Sequence, residues 1–303
     1  MAGARALGAQ GALALALAFA LTCAPAAAQD KLRVAATSTD LKALVESVGG
    51  ELVEVESLTA PGQDPHAIEV KPAQIARLSR AALLVRVGLD HEPWLARIPL
   101  RRLPAVLDAS RGVRLLQAET PRLRLERRAH VHAFGNTHYW LDPHNARPIT
   151  AAILEALAKL SPADRTRFAA NRDAFLLLLD AKTRQWTAAL RPFHGAKVVV
   201  IHDSWAYFAE RFGLAVVAAA EPTPGVPPSP AELAALYARM REARVRVVIA
   251  EPNSNPALVR QISEKSGART VTLNSSVTDG SYLSLFDSNV QRLTGVLAES
   301  QPR

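Results

Sequence analysis

Cysteine is almost absent from this sequence of 303 residues, because the single cysteine, Cys23, lies within an apolar N-terminal segment. If that segment is removed, the chain has no thiol, which excludes disulfide bonds and cysteine ligands for a metal. No stretch of about twenty apolar residues follows the segment, so we expect no membrane-spanning helix. Any metal site must then be built from histidine, aspartate and glutamate.

The N-terminal segment has the features of a secretory signal peptide. Arg5 supplies an early positive charge, an apolar run covers residues 11–22, and small residues follow it. The run is too short to span a membrane as a helix. We therefore predict a signal peptide over residues 1–29, cleaved near Ala28 or Gln29, and an exported, soluble mature protein.

The mature chain has a moderate excess of basic residues. The sequence holds 36 Lys and Arg against 28 Asp and Glu, and loss of Arg5 leaves 35 against 28, a net charge near +7. In a cytosolic protein this balance would favour nucleic acid as a partner, but export argues against it. With 49% hydrophobic and 21% charged residues, the composition is that of an ordinary globular protein. We expect a monomer that binds no nucleic acid.

Short apolar runs alternate with helical patterns along the mature chain. The runs predicted as strands lie at residues 31–37, 52–58, 82–87, 104–109, 197–202, 214–220, 245–250 and 269–273. Strands that alternate with helices are typical of parallel sheets covered by helices. We predict an α/β fold of two similar lobes, each a parallel sheet flanked by helices, although no repeat of individual residues relates the lobes.

One helical stretch, residues 161–193, is long enough to join the two lobes as a rigid rod. Ser161 can cap its start, Pro162 fits its first turn, and Asp164 suits the positive end of a helix. Some thirty residues at about 1.5 Å each make a rod of roughly 45 Å. The predicted division is an N-terminal lobe at 30–160, a linking helix at 161–192 and a C-terminal lobe at 193–303.

Three of the eight histidines fall in loops of the kind that hold ligands. His66 follows a predicted strand in APGQDPHAIEV, His138 lies in GNTHYWLDP, and His202 ends the strand KVVVIH. Ligands in α/β folds gather beyond the carboxyl ends of strands, so these side chains would meet in a cleft between the lobes as a metal site. Each histidine can also be a packed or capping residue, and no local spacing such as HExxH fixes the site.

The ordered motifs resemble a known family. DPHAIEVKPAQIARLSRAALLVRVGLDHEPWL, GNTHYWLDPHNA and HDSWAYFAERFGL are similar to the three metal loops of the zinc/manganese-specific substrate-binding proteins of bacterial ABC importers. The order, the spacing and the rod between the second and third loops also match. The resemblance covers essentially the whole mature chain, and it implies the same two-lobed fold with the metal site in the cleft.

The resemblance carries over a set of metal ligands. It implies His66, His138 and His202 as three of them, and an acid of the closing segment TDGSYLSLFDSN as the fourth. Asp279 is the predicted fourth ligand, although it stands one residue further from the tyrosine than the family pattern has it. Asp287 or a water molecule is the competing candidate.

Other polar residues near these loops have candidate supporting roles. Acids that can hold the second ring nitrogen of a ligating imidazole are Glu251, Asp64, Asp142 and Asp203. His130 and His132 form a candidate auxiliary pair for metal capture, with a plain loop as the alternative. His91, His144 and His194 match no ligand position of the family, so we interpret them as structural or surface residues.

Three neutral imidazoles and one carboxylate suit a tetrahedral Zn²⁺ ion. The family's manganese binders resemble this chain but place an acid where it has His202, which favours zinc, with Mn²⁺ as the alternative metal. The resemblance implies capture of Zn²⁺ in the periplasm and delivery to the permease of an ABC importer with its cytoplasmic ATPase. A periplasmic metallochaperone is a further candidate partner.

Two other functions share the same residues. A periplasmic zinc chaperone or buffer would have the same site but different docking surfaces. A zinc-dependent hydrolase also uses three histidines, but it keeps an open coordination position and needs a general base. Because the fourth acid closes the site and no separate base is evident, we predict a binding protein and no enzyme.

Overall fold

The computed structural model describes residues 30–63, 66, 68–98, 105–116, 135–221 and 226–300. Within these ranges the β-strands are β1 Leu32–Ala36, β2 Val53–Ser57, β3 Leu83–Arg86, β4 Val106–Asp108, β5 Lys197–Val200, β6 Ala215–Ala219, β7 Val247–Ala250 and β8 Arg269–Thr272. The α-helices are α1 Thr39–Gly49, α2 Pro72–Leu78, α3 Ala146–Leu160, α4 Arg165–Leu190, α5 Ala206–Phe212, α6 Pro230–Ala243, α7 Pro256–Ser266 and α8 Tyr282–Glu299. Every strand predicted from an apolar run is present, with its ends shifted by a residue or two.

The strands form two parallel sheets with the same topology. Their orders are β2-β1-β3-β4 and β6-β5-β7-β8, and every pairing is parallel. The predicted α/β fold of two similar lobes is confirmed, and the repeat that residue comparison did not show exists as a repeat of strand order. In each sheet the strand order reverses between two neighbouring strands, β1 and β3 in the first sheet and β5 and β7 in the second. Ligands of open α/β sheets bind at this point, beyond the carboxyl ends of the strands.

Most side chains of the central strands are apolar and buried because both faces of each sheet are covered. Val34 and Leu84 in the first sheet and Val199 and Val248 in the second are at most 2% exposed. Continuous apolar runs of this kind are typical of buried parallel strands. One hydrophobic cluster includes side chains of both sheets together with those of α4 and α8, so the lobes share a core.

The predicted rod is present as α4, with a one-turn 3₁₀ helix at each end, Pro162–Asp164 and Arg191–Phe193. Its 26 residues span about 39 Å. It packs against α1, α3 and α8. Ser161 does not cap the backbone; its hydroxyl donates instead to the Asp164 carboxylate at 2.6 Å.

Residues from Leu32 onward form one compact unit. The predicted division at 30–160, 161–192 and 193–303 stays a prediction. The predicted signal peptide and the histidine pair His130 and His132 lie outside the described residues. None of the helices over the described part of the chain is both long and apolar enough to cross a membrane.

Candidate metal centre

The second lobe contributes residues at the ends of its two central strands. His202 follows β5 by two residues, after Ile201 has made its bond to the β7 carbonyl of Ile249 at 2.9 Å. Glu251 directly follows the last residue of β7. Since β5 and β7 are neighbours in a parallel sheet, these two side chains lie at the same edge, where the strand order reverses.

The first lobe contributes two histidines from its loops. His66 is in the loop after β2, and His138 directly precedes the 3₁₀ helix Tyr139–Leu141. The amide oxygen of Asn136 accepts from the backbone N–H of His138 at 3.0 Å and contacts its Nδ1 at 3.1 Å. Because an amide oxygen only accepts, Nδ1 carries the proton and Nε2 is the nitrogen for a metal.

The three predicted histidines come together. Ring centroids are 5.4 Å apart for His66 and His138, 5.3 Å for His138 and His202, and 5.9 Å for His66 and His202. The Nε2 atoms of His66 and His138 are 3.4 Å apart. Two nitrogens bound to one tetrahedral zinc at about 2.0–2.1 Å are themselves about 3.3–3.4 Å apart, so this pair has the separation that zinc requires.

The structure adds a fourth histidine that the sequence did not mark as a ligand. His91 is fully buried, and its ring centroid lies 4.1 Å from that of His66 and 5.5 Å from that of His138. One ligand atom from each of these three histidines lies within 4.8 Å of the others. His91 follows β3 by five residues, so the strand-end argument applied to the other histidines was the signal that could have found it.

Aromatic packing fixes the second metal loop. Tyr139 and Trp140 are fully buried, and the Tyr139 hydroxyl donates to the carbonyl of Val87 at 2.8 Å. The Trp140 indole donates to the carbonyl of Ser275 at 2.8 Å and its ring contacts both His91 and His138. The rings of GNTHYWLDPHN are therefore packing residues that hold the imidazole of that loop in place.

The histidines open into a pocket of about 310 Å³. The residues that line it come from both lobes and are His66, His138, Trp140, His202, Ser204, Glu221, Pro227, Glu251, Asn253, Ser254, Asn255, Ser275 and Ser276. Polar side chains dominate the second-lobe wall. The pocket is thus large enough for a hydrated ion, and two glutamates, Glu221 and Glu251, line it.

Glu251 is the acid best placed among those predicted to support the ligands. It is 5% exposed, and its Oε1 accepts from the Ser204 hydroxyl at 2.7 Å and the Trp205 indole at 3.0 Å. Asp142 is bound by the Arg211 guanidinium, and Asp203 accepts at its backbone carbonyl from Asn136 at 2.7 Å. Asp64 lies outside the described residues.

The two acids considered for the fourth ligand position lie away from the histidines. Asp279 is exposed and accepts from the Thr278 hydroxyl at 3.0 Å. Asp287 accepts from Lys182 at 2.8 Å and from the Trp186 indole at 2.8 Å, on the face of α8 that meets α4. Neither lines the pocket that His66, His138 and His202 share.

The two remaining described histidines are on the surface, as predicted: His144 and His194 are both exposed. Partial burial and the neighbouring Arg211 lower the pKa of His144. Neither lines the pocket, which makes them natural controls for substitutions at the site.

The comparison with known families decides what kind of protein has this site. The model of the family described as "Zinc-uptake complex component A periplasmic", ZnuA, matches residues 34–296. The chain belongs to the ZnuA family. Members of this family are periplasmic components of zinc-uptake complexes. The matched residues include strands of both sheets and the whole of α4.

Individual relatives of the ZnuA family agree. The high-affinity zinc uptake system protein ZnuA of Paracoccus denitrificans is 30% identical over 284 residues, which cover 85% of this chain and 87% of that protein. A zinc-bound deletion mutant of ZnuA has a TM-score of 0.77 at 27% identity, covering 90% of this chain and 100% of that one. FpvC of Pseudomonas aeruginosa, in complex with Mn²⁺, has a TM-score of 0.76 at 26% identity and covers 89% and 100%.

Proposed function

We propose that this chain captures Zn²⁺ in the periplasm with high affinity and delivers it to an ABC importer, whose permease is driven by a cytoplasmic ATPase. The observation that carries the proposal is the 3.4 Å separation of the His66 and His138 Nε2 atoms beside His202, at the edge where both sheets present their strand ends. Membership of a family of zinc-uptake components gives the same function.

The proposed ligands are His66, His138 and His202, one from each of three loops. Loop ligands from two lobes suit a transport site, because a small shift of one loop lengthens metal–ligand distances and releases the ion. The carboxylate of Asp279 stays a prediction for the fourth position, since it must move inward from its exposed place to reach the ion. Glu251 supports the second-lobe wall through Ser204 and Trp205.

Zinc is the proposed cargo because the site is rich in imidazole nitrogen. Manganese prefers carboxylate and other oxygen ligands, whereas imidazole suits zinc, copper and nickel. A relative of similar fold was solved with Mn²⁺, so manganese is the metal against which selectivity has to be measured. Selectivity between the two metals follows from the donor atoms at the site.

The proposed location rests on the family and on the leader. The family is periplasmic, and residues 1–29 have the charge and apolar pattern of a cleaved signal peptide. We propose that the mature chain begins near Asp30 and acts as a monomer. It would meet the permease, and a metallochaperone if one exists, at the mouth of the pocket.

Zinc uptake by cells tests delivery. In cells that lack their own copy of the gene and are grown under zinc limitation, we expect the wild-type chain to restore zinc uptake and His138→Ala to fail. His194→Ala, at an exposed histidine outside the pocket, should restore uptake fully. A protein that binds zinc but restores no uptake in its native host would be a buffer or chaperone, and that result would overturn the proposed delivery.

A further inference from the structure

We infer that His91 is a direct metal ligand, so that four imidazoles hold the ion, from His66, His91, His138 and His202. The inference rests on the proposed zinc-binding function and assigns a residue that the family's motif does not mark. It also places the imidazole of His91 in the fourth coordination position, for which the carboxylate of Asp279 was predicted.

The first argument is distance. His91 and His66 have the closest pair of rings in the cluster, with centroids 4.1 Å apart. The ligand atoms of His66, His91 and His138 all lie within 4.8 Å of one another. Two nitrogens bound to one tetrahedral ion at about 2.1 Å are about 3.4 Å apart, so these ligand atoms must approach one another by at most about 1.4 Å to complete coordination.

The second argument is orientation. Nδ1 of His91 is 2.8 Å from the hydroxyl oxygen of Thr137, the residue before His138. A ligating histidine characteristically uses one ring nitrogen for the metal and the other for a hydrogen bond that fixes the ring. With Nδ1 bound to Thr137, coordination uses Nε2, as at His138. One loop, residues 136–138, thereby orients two imidazoles, through Asn136 for His138 and through Thr137 for His91.

The third argument is the backbone that presents His91. Gly88, Leu89 and Asp90 have φ angles of 81°, 57° and 57°, and the N–H of His91 bonds to the carbonyl of Gly88 at 3.0 Å. Leucine in the left-handed region costs free energy that the surrounding structure must offset, and such conformations cluster at ligand sites.

Buried Glu92 holds this turn. Its carboxylate accepts from the N–H groups of Val87 at 2.6 Å and Gly88 at 3.0 Å and from the Thr37 hydroxyl. Burial raises the pKa of Glu92, while these three donors act in the opposite direction. The anchored turn directs the buried imidazole of His91 toward His66 and His138.

A set of four imidazoles has a chemical consequence. Nitrogen-only coordination favours zinc, nickel and copper over manganese, because manganese binds best to oxygen donors. The inference therefore predicts a stronger preference for zinc over manganese than three histidines and a carboxylate would give. It also predicts that removal of Asp279 changes zinc affinity little.

The primary test is a crystal structure of the zinc-loaded wild-type protein, in which anomalous diffraction at the zinc absorption edge locates the ion. We expect His91 Nε2 within about 2.3 Å of the ion. In competition titrations, His91→Leu should weaken zinc binding by a factor on the order of 100, while Asp279→Ala changes it less than about threefold. Because loss of a supporting residue costs about 10- to 100-fold, the crystal structure is the measurement that distinguishes a ligand from a supporting residue. His144→Leu, at an exposed histidine, is the matched control.

Two results would overturn the inference. One is a zinc ion more than about 3 Å from His91 with Asp279 bound in its place; the other is an unchanged zinc affinity in a folded His91→Leu protein. Both leave the proposed function standing, because the wild-type protein still binds zinc and His138→Ala still loses it. Absence of zinc binding by the wild-type protein would instead remove the proposed function itself.

Discussion

The side-chain amide of Asn136 donates a hydrogen bond to the backbone carbonyl of Asp203 at 2.7 Å. Through its other amide atom the same residue holds the backbone and ring of His138. Asp203 directly follows His202 in the chain. One side chain therefore links the loops of two proposed ligands, His138 of the first lobe and His202 of the second.

This link predicts the effect of Asn136→Ala. The substitution removes the acceptor that orients His138 and the donor that ties it to the His202 loop, so we expect zinc affinity to fall about 10- to 100-fold, as measured by competition titration. Asn136→Asp keeps an acceptor for His138 and loses the donor to Asp203, and it should have an intermediate effect. Equal wild-type affinity in both variants would show that the link does not position the ligands.

A paired charge joins the lobes beside the site. The Arg211 guanidinium of α5 donates to both oxygens of Asp142 at 2.7 Å, and neither side chain is more than 30% exposed. Lysine cannot reproduce this two-pronged bond. We expect Arg211→Lys to lower the free energy of unfolding by about 1–3 kcal/mol in denaturant titrations.

The exposed pair of Arg165 and Glu155 provides the control for that measurement. Exposed ion pairs contribute little to stability, so Arg165→Gln should cost much less than Arg211→Lys. Equal losses at the two pairs would contradict a special role for the contact between the lobes.

Asp40 predicts how the stability of the metal-free protein depends on pH. Its Oδ1 accepts from the N–H of Val277 at 2.9 Å, yet burial raises its pKa from 3.8 to about 7. Between pH 4 and 7 the folded protein holds a proton that the unfolded chain has lost, so stability decreases as pH rises through this window.

Asp40→Asn should remove that dependence while keeping an acceptor for Val277. Relative to the wild type, we expect the variant to gain stability as pH rises from 4 to 7, by up to about 4 kcal/mol. Denaturant titrations at several pH values in the presence of a chelator measure the difference. A constant difference between the two proteins across this range would contradict the raised pKa.

Gly88 carries the turn before His91. A Cβ at this position would lie 2.3 Å from the Asp108 carboxylate, and its φ of 81° is unfavourable for other residues. We expect Gly88→Ala to lower both the free energy of unfolding and the zinc affinity. Gly112→Ala, at a similar φ of 85° but with only a Pro148 contact at 3.8 Å, separates the effect of φ from the effect of the collision. A Gly88→Ala protein with wild-type zinc affinity would show that this turn does not position His91.

Much of this fold could be predicted from the sequence. Strands such as 197–200 and 247–250 are short, mainly apolar runs because they are buried on both faces. Such a run can be recognised from one sequence without an alignment. The three histidines that the structure brings together could be predicted because His66, His138 and His202 stand at strand ends or in motifs of fixed order.

His91 also follows a strand, but the direction of its side chain could not be predicted from that position. The turn that directs it inward has left-handed backbone at Leu89 and Asp90, and leucine gives no local signal for that conformation. The place of Asp279 depends on how the loop after β8 is held, by Asp40 at Val277 and by Trp140 at Ser275. These contacts join residues more than 130 positions apart in the chain.

Metal analysis with competition titration of the chelator-stripped mature protein tests the central claim most directly. We predict one tightly bound zinc per chain, zinc preferred over manganese, binding abolished by His138→Ala and binding unchanged by His194→Ala. Zinc retained by the His138→Ala protein, or a stoichiometric preference for manganese, would contradict the claim that these imidazoles form a zinc transport site.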